Sequence, residues 1–390
     1  MKVPKVILRF ETSRACGRGI LLGISKYCNL FSRWELRQKP PFYLHSRNQI
    51  DNPMLPENWA ADGMVVDLPD IPVAVREMGV SVIGVDILDS IQGVPNIVAD
   101  DYTIAKIALE HFMDRGFSQL AFCGFEGIHW SFKRGKNFAE LAQAQGIHVA
   151  EYQVKNVQEA FFLDEALLAI TGWLENLTYP SGLLACNDDC GKMVSAACES
   201  AGIRVPEDIA LLGVDNDEMI CLPNNPPLSS VVQNFEKAGF EAAKLLDRIM
   251  KGREKLADQK IVIQSTHVAA RHSTDILAAD DPVISKALQY IRKNINQPIG
   301  IPEVVAATTI SRRALEYRFQ KVLGRSIGSL IRSQRVDQIS KLLIETNLSI
   351  SQIARELGYT SAEHISRYFR REKGMSPSEF RNKKRNLQMH

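Results

Sequence analysis

Along the first 275 residues, short runs of Val, Ile and Leu alternate with longer segments whose apolar positions recur every three or four residues. Lys5–Phe10, Gly63–Leu68, Ser81–Val85, Asn96–Ala99, Gln119–Cys123, Gly182–Cys186, Ile209–Val214 and Ser229–Val232 predict strands, because each is brief, apolar and bounded by polar residues, Gly or Pro. Gly17–Cys28, Tyr102–Arg115, Ser131–Ala144, Asp164–Leu177 and Asp188–Ala201 predict helices. In Tyr102–Arg115 the residues Ile104, Ile107, Ala108, Leu109 and Phe112 make one stripe, and Gly116 follows as a stop. Such alternation implies parallel sheets covered by helices on both faces.

Beyond Asp281 the pattern turns helical throughout. Val283–Ile295, Ile301–Ala307, a segment headed by Ser311 and stopped by Gly324, Ile327–Thr346, Ser349–Leu357 and Ser361–Lys373 all carry helical spacing, and Ser376–Pro377 starts a last helix. Val305–Ile331 and Ile353–Arg381 repeat one plan: short helix, turn, Ser-headed helix, Gly, Ser, further helix. Aligning Phe319 on Phe369 gives an offset of 50 residues. Phe319, Leu323, Tyr368 and Phe369 read as core.

Charge divides the chain at the same place. Residues 281–390 hold 20 Lys and Arg against 9 Asp and Glu, while the remainder holds 27 against 36. A basic tail on an acidic body suggests a polyanionic partner for the tail. The polar stretch Arg271–Pro282 places the boundary, giving residues 1–275, a linker at 276–282 and residues 283–390. No stretch approaches a membrane span, and Met1–Phe10 lacks the features of a secretory signal, so a cytoplasmic protein is expected. The seven cysteines read as buried reduced thiols, without metal-ligand spacing.

Ligands of parallel sheets sit beyond the carboxyl ends of their strands. Those ends carry Glu11, Thr12, Ser13 and Arg14, then Asp86, then Asn187, Asp188 and Asp189, then Asp215, Asn216 and Asp217, then Gln233; Trp130 and Arg134 open a nearby helix. Short carboxylates and amides with one Arg and one aromatic suit a polyol, whose apolar face Trp covers. Singly, each is also a fair cap or turn residue, Asp188 especially.

Ala99–Gly124, Leu183–Asp217 and Pro226–Leu246 resemble the effector domain of LacI-type regulators and periplasmic sugar-binding proteins. That resemblance implies two α/β lobes with a ligand between them. It implies sugar contacts for Asp86, Arg134, Asn187, Asp215 and Gln233, to which the residue reading adds Trp130 and Asp188. Asp100-Asp101 departs from the family's Asp-Asn, a difference expected to affect capping. The headpiece with which LacI-type repressors begin is not found here, so DNA binding is expected elsewhere. Leu330–Arg381 is similar to the AraC-type domain of tandem helix-turn-helix units. By that similarity Arg312, Arg313, Glu316 and Tyr317 project from the first recognition helix. Ser361, Ala362, Glu363 and His364 head the second, with Arg367 and Arg371 nearer phosphates. Arg pairs with guanine and Glu with cytosine, whereas Ala362 offers only an apolar contact.

The expected fold is thus an α/β two-lobed periplasmic-binding-protein-like domain with parallel sheets, followed by an all-α AraC-type tandem helix-turn-helix domain. This order resembles the XylR-type xylose regulators. The resemblance implies a transcription regulator binding double-stranded operator DNA and D-xylose or another pentose. A homodimer is expected by analogy, with RNA polymerase as a partner if it activates. No cofactor, metal or membrane is expected. Rival readings are a different sugar, a nucleoside effector, or an enzyme using Asp188 and Asp215 as paired carboxylates; the last has no supporting nucleotide, zinc-protease or hydrolase motif.

Overall fold

The structure is a computed structural model describing residues 3–38, 61–67, 79–85, 91–155, 164–255, 257–276, 281–297, 299–323, 326–346, 348–359 and 361–382. The chain opens with β1 (Lys5–Arg9), α1 (Ala15–Leu30), β2 (Glu35–Gln38), β3 (Gly63–Val66), β4 (Ser81–Val85) and β5 (Asn96–Ala99). It continues through α2 (Asp101–Met113), β6 (Leu120–Phe125), α3 (His129–Gln143), β7 (Val149–Val154), α4 (Asp164–Leu174), β8 (Ser181–Ala185), α5 (Asp188–Ala201), β9 (Ile209–Val214), the one-turn α6 (Glu218–Cys221) and β10 (Ser229–Gln233). Helix α7 (Phe235–Met250), β11 (Lys260–Ile263), β12 (Ser265–Ala269) and a 3-10 turn at His272–Thr274 complete this part.

Among the described residues these strands form two six-stranded sheets, ordered β11-β5-β4-β3-β1-β2 and β12-β10-β9-β8-β6-β7. The first is parallel throughout, and in the second only β12 runs antiparallel, against β10. The predicted parallel sheets are therefore present. Strands β2, β7, β11 and β12 were not predicted. All four are sheet edges, where one missing neighbour leaves polar residues in the pattern, as in the Glu-Leu-Arg-Gln of β2.

Among the described residues the chain crosses between the sheets three times, each time through one residue: Asp100, Asn234 and Gln264. Two of these also cap the helix they begin. Asp100 accepts from the Thr103 N–H and Asn234 from the Lys237 N–H, both at 3.0 Å. The Asn234 N–H donates to the Gln264 carbonyl at 2.9 Å, tying two crossovers together. In the first lobe α1 packs closely against α7. A Cβ at Gly23 would lie 1.9 Å from the Glu236 carbonyl oxygen, so only glycine permits this approach.

The basic segment is helical, as predicted: α8 (Pro282–Asn294), α9 (Ile301–Ala306), α10 (Arg312–Leu323), α11 (Ile327–Glu345), α12 (Ile350–Glu356) and α13 (Ala362–Lys373). Among the described residues it contains two cores. Ile284, Leu288, Leu315 and Phe319 belong to one, and Ile353, Ile365 and Phe369 to the other. The 50-residue offset holds in three dimensions: α10 and α13 are 12 residues each, and Leu315, Phe319, Ile365 and Phe369 are all fully buried. Helix α11, about 28 Å long at 1.5 Å per residue, feeds Leu330 into the first core and Ile339 into the second.

Candidate effector cleft and nucleic-acid interface

A cavity of about 430 Å³ lies between the strand ends of the two lobes. From the first lobe Glu11, Arg14, Cys16 and Phe235 line it; from the second come Trp130, Arg134, Asn187, Asp215 and Gln233. Five residues expected from sequence thus meet on one wall. Asp86 lies outside the described residues.

Arg134 is only 3% exposed. Its Nε donates to Asp101 Oδ1 at 3.1 Å, and one Nη donates to the Cys186 carbonyl. Its guanidinium carbon sits 5.2 Å from the centre of the Trp130 ring, so the aromatic wall and the cation form one surface. Asp215 holds a left-handed backbone at φ 101° and accepts from the Gln233 amide. Burial pushes its carboxyl up to about 6, against the pull of Arg134. The Gln233 Oε1 is buried with no hydrogen-bond partner in the structure. Asn187 caps α5 through Oδ1, which takes the Cys190 N–H at 2.9 Å, leaving its NH2 for the cavity.

Asp188 departs from expectation. The cap of α5 is Asn187, and Asp188 is the first helical residue, 2% exposed and absent from the cavity wall. Its carboxylate accepts from Ser230 Oγ at 2.6 Å and the Asp217 N–H at 2.7 Å, bracing the turn after β9 against β10. Burial, then the nearby Asp215, holds its carboxyl well above the ordinary range. Asp100 caps as expected, whereas Asp101 instead pairs with Arg134. Lys133 and Asn137 also line the cavity and were not predicted. The spacing Trp130, Lys133, Arg134, Asn137 is one helical face and carried that signal.

Across the cleft edge, Arg14 donates from Nε to Asp189 at 2.8 Å and from Nη2 at 3.0 Å. Arg18 donates to Asp217 Oδ1 at 2.6 Å, and the Ala15 N–H donates to Asp217 Oδ2 at 2.8 Å. The start of α1 in one lobe is thereby clasped to carboxylates of the other.

In the basic segment, Arg312, Arg313 and Tyr317 are exposed on α10 and Glu316 half-exposed, with Arg312 donating to Glu316 at 2.9 Å. Ser361 caps α13 by accepting the His364 N–H at 3.2 Å. Ala362 is half-buried beside it, and Glu363, His364, Arg367 and Arg371 are exposed, Arg371 lying over the Tyr368 ring. Both helices therefore send one side into a core and expose a polar, largely cationic side to solvent. Among the described residues no helix is long and apolar enough to cross a membrane, and no cluster of His, Cys, Asp or Glu could hold a metal ion.

Residues 109–274 match the periplasmic binding protein-like domain family, and residues 304–383 match a helix-turn-helix domain. Fold, cleft and paired helices define a DNA-binding transcription regulator with a sugar-type effector domain. More particularly, the chain is similar nearly end to end to regulators of the xylose-operon type. It is 29% identical to the xylose operon regulatory protein of Escherichia coli K12, covering 97% of each chain. It is also 29% identical to that of Haemophilus influenzae, covering 97% of this chain and 98% of the relative. The solved structure of the xylose-binding transcription activator xylR matches with a TM-score of 0.60 and 27% identity over 98% of both chains. A complex of the transcriptional regulator CelR with cellobiose shares the fold at a TM-score of 0.53 and 18% identity, covering 69% of this chain and 84% of that one. These relatives are regulators, and the chain is a regulator rather than an enzyme.

Proposed function

We propose that the chain senses D-xylose or a related pentose in the cleft and converts occupancy into a change in operator binding. On this reading it acts in the cytoplasm as a homodimer and as an activator that engages RNA polymerase. Residues 1–275 form the sensor, 276–282 the linker and 283–390 the DNA-binding unit. Support for a sugar comes from the wall chemistry. Asp215 accepts a hydroxyl, Arg134 and Asn187 donate, Asp86 adds a contact by family resemblance, and Trp130 covers an apolar ring face. Asp188 acts from behind, by holding the turn that carries Asp215.

One observation carries the reading: the buried, unpartnered Gln233 Oε1 beside Asp215, which a ligand hydroxyl would satisfy. A sugar touching both lobes favours the clasped arrangement because it binds that state better. Any resulting gain in DNA affinity must be matched by an equal gain in sugar affinity on DNA. On the DNA side, α10 and α13 enter successive major grooves about 34 Å apart, a span that suits α11.

The test is a thermal-shift comparison of the full chain with D-xylose, L-arabinose, D-ribose, D-glucose and adenosine. D-xylose at about 100 times its Kd should add about 2.7 kcal/mol of stability. Asp215→Ala should lose that response and retain sugar-free DNA binding. A response to adenosine alone, or to no pentose, overturns the proposal.

A further inference from the structure

Asp215 and Asn216 are the non-glycine residues with positive φ among the described residues, at 101° and 52°. One of this pair lines the cleft. The other is held by the start of the segment leading to the linker: Asn216 Oδ1 accepts from Arg271 Nη2 at 2.7 Å. The second Nη of Arg271 donates to the Leu228 carbonyl at 2.8 Å, so one guanidinium bridges the turn after β9 and the approach to β10. Arg271 is also fixed through its backbone, whose N–H donates to Ser229 Oγ at 2.8 Å.

The residues that follow are fastened to the same strands. Ser273 Oγ donates to the Leu211 carbonyl at 2.6 Å and accepts the Ser229 N–H at 2.8 Å. Arg115 Nε donates to the Thr274 carbonyl at 3.0 Å, and Ser273 and Thr274 are fully buried. Further along, Asp281 accepts the Val283 N–H at 2.9 Å, which starts α8, and accepts from Arg318 of the first recognition helix at 2.9 Å. The connecting chain is therefore anchored at one end to the turn that faces the ligand and at the other to a helix offered to DNA.

We infer that the Arg271–Asn216 hydrogen bond is the contact through which the occupant of the cleft sets the position of Arg271–Asp275, the segment that leads towards the DNA-binding unit, making Arg271 a positioning residue for the response rather than for binding either ligand. The inference rests on the reading under Proposed function. Its physical basis is a strained two-residue turn whose first residue must adjust when its carboxylate takes a ligand hydroxyl. The second residue transmits that adjustment through a single side-chain bond.

The experiment uses the full chain and a duplex that the chain itself selects from a randomised pool in the presence of D-xylose. Three quantities are read for each variant: DNA affinity without sugar, DNA affinity at saturating D-xylose, and the D-xylose thermal shift. Asn216→Gly suits the left-handed backbone and removes only the acceptor; Asn216→Asp keeps an acceptor. Wild type should show a DNA-affinity ratio of about fivefold or more with sugar. In Asn216→Gly and Arg271→Gln the ratio should collapse towards unity while the thermal shift persists, and the double variant should fall no further. Asn216→Asp should restore the ratio. A ratio in Asn216→Gly equal to wild type, or one not restored by Asn216→Asp, overturns the role of Arg271. A wild type that gives no thermal shift with D-xylose, or recovers no duplex, overturns the functional reading itself and the inference with it.

Discussion

Arg134 and Asp101 pair through Nε and Oδ1 at 3.1 Å with neither residue more than 8% exposed. Asp101 begins α2 directly after the first crossover, and Arg134 belongs to α3, so the pair fixes the cationic wall of the cleft to a hinge. Replacing Asp101 by Ala would take from a buried guanidinium its hydrogen-bonded carboxylate and leave it only the more distant Asp215, at a penalty of about 3–5 kcal/mol. Asp100→Ala removes only a cap and should cost about 1 kcal/mol. Denaturant midpoints of the two variants should fall in that order; equal losses would mean the buried pair contributes nothing beyond a cap.

Asp215 should give sugar binding a pH dependence. Its carboxyl is raised to about 6 by burial, and a hydroxyl donor favours the ionised form. Affinity is then complete above about pH 7 and falls as pH drops through about 6, by at most about tenfold per pH unit for one proton. For stability without sugar the sign is opposite. A carboxyl raised on folding contributes stability that is present below its ordinary value of 3.8 and is lost as pH rises through about 6. Titration calorimetry with D-xylose from about pH 5 to pH 8, repeated on Asp215→Asn, checks the first, and sugar-free denaturant midpoints from about pH 4 to pH 7 check the second. A slope that survives in Asp215→Asn assigns the proton elsewhere.

Arg18 joins the lobes without lining the cavity. Its bond to the nearly buried Asp217 spans the two lobes, and a hydrogen bond to a charged group contributes about 1.5–3 kcal/mol. Arg18→Met keeps most of the stem and removes the bond. We expect D-xylose affinity to fall about tenfold or more, with solution scattering showing a more open sugar-free particle. Unchanged affinity would show that clasping does not contribute to ligand binding.

The two recognition helices should separate base reading from charge. Arg313→Ala should relax preference at one base position at a cost of about 1–3 kcal/mol. Arg370→Ala, in the cationic last turn of α13, should weaken all duplexes alike and lower the salt slope by about one. Binding curves over a salt series on selected and scrambled duplexes decide. A sequence-dependent loss in Arg370→Ala would move that residue to the base-reading set.

Central strands such as Ile209–Val214 were legible because burial on both faces leaves an unbroken apolar run. The edge strand Glu35–Gln38 was not, since half its surface meets water. The cleft residues were legible one by one from their places after strands. What spacing could not supply is partnership. The side chain of Asp188 turns away from the cavity because Ser230 and the Asp217 N–H lie behind it, and those contacts span 42 and 29 residues. The pairing of Asp101 escaped notice for the same reason, its partner being 33 residues away on another helix. In the helical segment the reverse holds: partners are near in sequence, and the repeat alone located both cores.

The single-residue crossovers also dictate an order of manufacture. Strand β11, an edge of the first sheet, is not translated until residue 263, and the second sheet lacks β12 until residue 269. A nascent chain leaving the ribosome therefore carries two unfinished halves for most of its synthesis and completes them almost together. The last hundred residues, whose contacts are local, then fold with little delay. A message truncated before codon 263 would yield neither a working receptor nor anything able to hold a promoter.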